Sequence, residues 1–198
     1  MDAAVIQAMG RWPDVPAVFG WLELDRRGRW LIKGERIGNP SVTAFIGRNY
    51  ASEAQGRWFF QNGPQRVFAR LHYTPFVYHV LPAAGNEHGL ETHVGTRVTR
   101  LYEALVDEAG SLVLRTEAGV GVVSDRDLPM LAPLLRDERG NTLDEDALGA
   151  LQAGHHVDGA VLHWHHEDIP VEPVHSSHVP RLFDFNPDPR PAPGDPDC

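Results

Sequence analysis

Apolar residues along this chain come in short runs separated by turn-forming clusters, a rhythm that predicts many strands and few helices. In "VFGWLELDRRGRWLIKGERI" the runs around Trp21 and Trp30 flank Asp25 to Gly28, which reads as a hairpin. "GRWFFQNGPQRVFARLHYTPFVYHV" reads as strand, turn, strand, break, strand. Asn62-Gly63 supplies the turn because both residues tolerate positive φ. Val67, Ala69, Leu71 and Tyr73 then alternate with Phe68, Arg70 and His72, the period of two that a pleated strand requires. Pro75 interrupts that run before Phe76 to Val80 resume it. The same grammar returns in "YEALVDEAGSLVLRTEAGVGVVSDRDL", with Asp107 to Gly110 as the turn, and "AVLHWHH" reads as one more strand.

Helical spacing is confined to a few places. Val5, Ile6 and Met9 share a face in a short N-terminal helix that Asp2 caps and Gly10 ends. Asn39-Pro40 opens a helix over 40–50, with Val42, Phe45 and Ile46 as its apolar stripe. Ser124 with Asp127 resembles a capping box, but Pro129 and Pro133 limit that helix to a turn or two. Asp144, or Thr142 with Glu145, caps a better helix carrying Ala147, Leu148 and Leu151 and closed by Gly154.

Aligning Asp25–Gly28 with Asp107–Gly110 sets Trp30 opposite Leu112 and Ile32 opposite Leu114, and a helix-like segment follows in both places. This spacing predicts an internal repeat. The expected organisation is a first β-rich half with an N-terminal helix over 1–82, a second β-rich half with a histidine-rich strand over 83–182, and a tail over 183–198. The polar, small-residue stretch 82–96 is the expected boundary, and five prolines among residues 186–198 predict a disordered or extended tail. The fold class is α+β and β-rich, two similar hairpin-plus-helix halves packed together, with roughly ten short strands.

The stretch from Phe19 to Tyr50, followed by "GRWFFQNGPQRV" and the "TPFV" strand, resembles a bacterial domain family of unknown function of the 2944/2946 type. It is more remotely similar to the family of unknown function numbered 1285. The likeness covers residues 11–80 closely and 102–124 loosely, and leaves out the histidine stretch. It implies a soluble β-rich fold and transfers no catalytic residue.

Composition changes the picture mainly by exclusion. A net charge of −9 over 198 residues, with scattered Lys and Arg, argues against nucleic-acid and anionic-membrane partners. No apolar run approaches the roughly 20 residues that span a bilayer. The start "MDAAVIQAMGRW" lacks the basic, then apolar pattern of a secretory signal, so a cytoplasmic location is expected. The one cysteine, Cys198, cannot form an intrachain disulfide and is not placed for catalysis.

Two constellations could carry chemistry. Residues 155–178 hold seven of the eleven histidines. If 161–166 is a strand, His163 and His165 project together while His166 points away, and His175 could add a third metal ligand. The spacing matches no H-E-x-x-H motif, and no cysteine pair offers a structural zinc site. A native divalent transition-metal site, adventitious metal binding and a metal-free polar edge therefore all stay open, and no cofactor is expected by default. The second constellation is Asn49, Gln61, Asn62, Gln65 and Arg66, whose amides and guanidinium could line a pocket for a small polar or anionic ligand, or could simply be turn chemistry. "GVGVVS" lacks the third glycine and the βαβ context of a dinucleotide loop, and neither G-x-S-x-G nor a P-loop occurs. The leading expectation is a non-enzymatic binding or interaction protein for a small molecule or protein partner, with strand edges that allow a homodimer. The alternative is a metal-dependent enzyme built on His163 and His165.

Overall fold

A computed structural model describes residues 1–12, 15–84 and 87–191. The chain divides into two units, Met1–Pro75 with Phe183–Cys198, and Phe76–Leu182. The first contains α1 (Ala3–Arg11), β1 (Val18–Leu24), β2 (Trp30–Ile32), β3 (Glu35–Arg36), α2 (Pro40–Arg48), β4 (Tyr50–Ser52), β5 (Trp58–Asn62) and β6 (Gln65–Leu71). Its sheet runs β3-β2-β1-β6-β5-β4, with β1 and β6 parallel and the other neighbours antiparallel.

Local chemistry explains most of these elements. The Asn39 side chain accepts from Ser41 N at 2.9 Å and Val42 N at 3.4 Å, so the Asn-Pro start of α2 is as expected. The expected cap of α1 is not formed: the Asp2 carboxylate engages Arg48 at 3.2 Å and Asn49 at 3.3 Å instead. A long-range ion pair has displaced the local bond. Alternation on β5 and β6 buries Phe59 and Phe68 on one face and Phe60 on the other, where Phe45 of α2 meets it edge-on at 5.4 Å. Residues 183–191, expected as tail, include Phe185 at 7% exposure, and Pro187 O accepts from Leu71 N at 2.7 Å. Residues 192–198 lie outside the described residues.

The second unit contains β7 (Phe76–Ala84), β8 (Glu87–Thr92), β9 (Arg97–Val98), β10 (Leu101–Asp107), β11 (Leu112–Thr116), β12 (Gly119–Val123), α3 (Leu128–Leu131), β13 (Leu135–Arg136), α4 (Glu145–Gln152), β14 (Val161–Trp164), β15 (Glu167–Val174) and α5 (Val179–Leu182). Its sheet order is β13-β14-β15-β10-β11-β12-β7-β8-β9. The described residues of the stretch 82–96, expected as the boundary between halves, contribute to the β7–β8–β9 meander, in which Leu90 is 1% exposed. The expected cap of α4 forms, with Asp144 accepting from Ala147 N at 2.9 Å.

Read from β12 to β13 by way of β10, the second sheet repeats the first. The order β3-β2-β1-β6-β5-β4 returns as β12-β11-β10-β15-β14-β13, and β10 and β15 are again parallel. Register repeats as well: Leu22↔Ile32 and Leu24↔Trp30 become Ala104↔Leu114 and Val106↔Leu112, while Leu24↔Leu71 becomes Val106↔Pro173. The two similar halves expected from the Asp-x-x-Gly turns are thus present strand by strand.

Candidate functional site

The β5–β6 hairpin of the first unit sorts the amide-rich residues by face. Its register pairs Gln61 with Arg66 and Asn62 with Gln65, and successive side chains alternate. Gln61 and Arg66 therefore share the Phe59–Phe68 face and line a cleft of about 490 Å³. Asn62 and Gln65 lie on the other face, beside an apolar cleft of about 460 Å³ that also exposes Trp21, Ile32 and Val42. Asn49 lines neither cleft. Buried at 1% exposure, it accepts from Asp2 N at 2.7 Å and donates to Phe45 O at 2.9 Å, joining the start of α1 to the end of α2. The five-residue set is thus divided among three places.

The cleft at Gln61 also takes in two residues that sequence reasoning missed, Glu53 and Arg57, because they sit in the β4–β5 connection with no strand or motif to mark them. Glu53 accepts from Arg57 Nε, and its other oxygen accepts from Arg66 Nη1 at 3.0 Å. Each guanidinium also lies over a ring, Arg57 at 4.7 Å from the Phe68 centroid and Arg66 at 4.8 Å from that of Phe59. Phe19 stacks on Phe68 at 4.5 Å and extends the apolar wall, to which Met9 and Trp12 add. Gln61 is 1% exposed. Its Nε2 donates to Gly63 O at 2.9 Å, which fixes the amide orientation, and its Oε1 is buried with no hydrogen-bond partner. Among the described residues, two cations against one carboxylate and one orphaned acceptor converge here.

The histidines are placed differently from the expectation. β14 ends at Trp164, and His165 begins the turn with φ +55°, so the strand alternation that would have put His163 and His165 side by side stops one residue short. His163 Nδ1 lies 2.6 Å from Asp168 Oδ1 and His165 Nε2 lies 3.1 Å from His88 O. His175 sits in another segment, where its Nδ1 meets Ser177 Oγ at 2.7 Å. Among the described residues no three His, Cys, Asp or Glu side chains form a group able to hold a metal ion. His166, expected to point away, lines a cleft of about 300 Å³ together with His88, Arg136, His163 and His165.

The family described as "Protein of unknown function (DUF2946)", with the model name DUF2944, matches residues 1–190. The chain belongs to this family. No curated protein matches it. Among solved structures, a DUF1285 family protein from Silicibacter pomeroyi DSS-3 is similar at a TM-score of 0.51 and 17% identity, over 80% of this chain and 82% of that one. A DUF1285 family protein from Shewanella baltica OS155 is similar at a TM-score of 0.39 and 15% identity, over 57% and 87% respectively. The first likeness shows a common fold between members of the two families. The histidine stretch, left outside the resemblance seen in sequence, falls within the family match. Among the described residues no helix is long and apolar enough to cross a membrane.

Proposed function

We propose that this family member is a small-molecule binding protein whose cleft at Gln61 takes an organic anion that also carries an N–H or O–H donor. Gln61 Oε1 supports the reading most directly. A buried acceptor left without a partner costs about 1–3 kcal/mol, and a donor on the ligand offsets that cost. Among the described residues, Arg57 and Arg66 against Glu53 leave one net positive charge along the wall, which favours a carboxylate or similar anion. Trp12, Phe19 and Phe68 give its carbon skeleton an apolar surface, and the volume of about 490 Å³ falls in the range of small-ligand sites.

The test is ligand-observed NMR on untagged protein against a panel of small hydroxy- and aminocarboxylates. At least one member is expected to bind saturably, and Arg66→Ala to weaken it about tenfold through loss of a charge-assisted contact. Gln61→Met is expected to abolish that binding while unfolding free energy stays level or rises by up to about 1 kcal/mol, because the orphaned acceptor is gone. No saturable binding, or equal binding by both variants and the parent, overturns the reading.

A further inference from the structure

The repeat relates the Gln61 cleft to a second place in the molecule. Gln61↔Arg66 in the β5–β6 hairpin and His163↔Asp168 in the β14–β15 hairpin hold the same register at a spacing of 102 residues. The turns match too. Gly63 at φ +57° and Pro64 are answered by His165 at φ +55° and His166. Gln61 and Pro64 line the first cleft, and their counterparts His163 and His166 line the second. The chemistry has changed while the place in the sheet has not.

From these observations we infer that the cleft beside the β14–β15 turn is a binding site for a phosphate-class oxyanion, held by Arg136 and the surrounding imidazoles. Arg136 is half-buried, and among the described residues it is the one half-buried arginine without an ion pair. A guanidinium in that position, in a chain of net charge −9, lacks the anion that ordinarily accompanies it. Among the described residues no carboxylate lines the cleft; Asp168, 62% exposed, bonds the Nδ1 of His163 at 2.6 Å. An ionised carboxylate only accepts, so the proton of that bond sits on His163 Nδ1. Carbonyl oxygens likewise only accept, so His165 Nε2–H donates to His88 O at 3.1 Å and ties the turn to β8. His88 Nδ1 is buried and has no partner, a ring nitrogen that a bound oxyanion, protonated or not, can meet as acceptor or donor. A volume of about 300 Å³ admits a tetrahedral oxyanion with its remaining water.

The experiment is a titration of the full chain with inorganic phosphate, at ionic strength held constant with chloride, followed by long-range ¹H–¹⁵N NMR of the histidine rings. The ring nitrogens of His88, His163 and His166 are expected to shift saturably, with half-saturation at about 1–10 mM phosphate. Arg136→Gln is expected to weaken binding by about tenfold, and Arg136→Lys, which keeps the charge but not the planar fork, by about threefold. Arg66→Ala is expected to leave this titration unchanged, which separates the second site from the first. Ring shifts that fail to saturate, that chloride reproduces, or that persist unweakened in either Arg136 variant overturn the proposal.

Discussion

Single side chains here do different work from what their identities suggest in sequence. Asn49 looks like a ligand contact and instead joins two helices. Gln61 flanks the turn, bonding Gly63 O, and also carries an orphaned oxygen. Glu108 drew no notice, yet it accepts from the Ser176 hydroxyl and from Ser176 N at 2.8 Å, and these bonds hold its carboxyl down to about 2 from an ordinary 4.5. The sign follows from the direction of the shift. A carboxylate lowered in the folded state stabilises the fold fully above its unfolded value, and that contribution is lost as pH falls through about 2. Ser176→Ala removes the largest cause, so the Glu108 value measured by ¹³C NMR is expected to rise toward 4.5, and the acid-unfolding midpoint to move to higher pH. An unchanged Glu108 titration would mean that Ser176 is not its partner in solution.

Turns are where elements were most legible, and where one repetition went unread. Asp25, Asp107 and Asp137 each accept, through one carboxylate oxygen, from the backbone N–H groups two and four residues on. In each turn a glycine three residues on has positive φ, and its N–H bonds the Asp carbonyl. The first two were recognised because apolar runs flank them. The third closes only a short bridge, Arg136 to Thr142, so no hydrophobic pattern marks it. Burial ranks their weight. Asp107 is 0% exposed and its bonds to Ala109 N and Ser111 N are part-buried, so Asp107→Ala is expected to cost about 1–3 kcal/mol in denaturant unfolding. In Asp137→Ala water replaces the lost bonds, and the expected cost is below about 1 kcal/mol. A reversed order would show that the turns are not governed by burial. The same limit explains the histidine error: alternation is a property of strands, and it ended at Trp164 where the turn began. Arg136 and His88 escaped notice because β13, β8 and the β14–β15 turn are brought together by the sheet, which no local pattern records.

At the scale of the molecule, the repeat was legible from two turns 82 residues apart, but the parallel pairings of β1 with β6 and β10 with β15 were not. Non-local pairing leaves no trace in periodicity. The discontinuity of the first unit was equally hidden, since a proline-rich stretch reads as tail by composition alone. Gly56 shows how closely that stretch fits. It adopts φ +70°, and a Cβ placed there would lie 2.9 Å from Phe185 Cα. Gly56→Ala is therefore expected to destabilise the protein by about 2–3 kcal/mol, from positive φ and backbone overlap together. If thermal unfolding of the variant matches the parent, residues 183–187 do not seat as described. The order of synthesis then matters. Phe185 and Pro187, which complete the first unit, leave the ribosome only after every strand of the second has emerged. The first unit therefore lacks the residues that seat beside Gly56 until the strands of the second have been made.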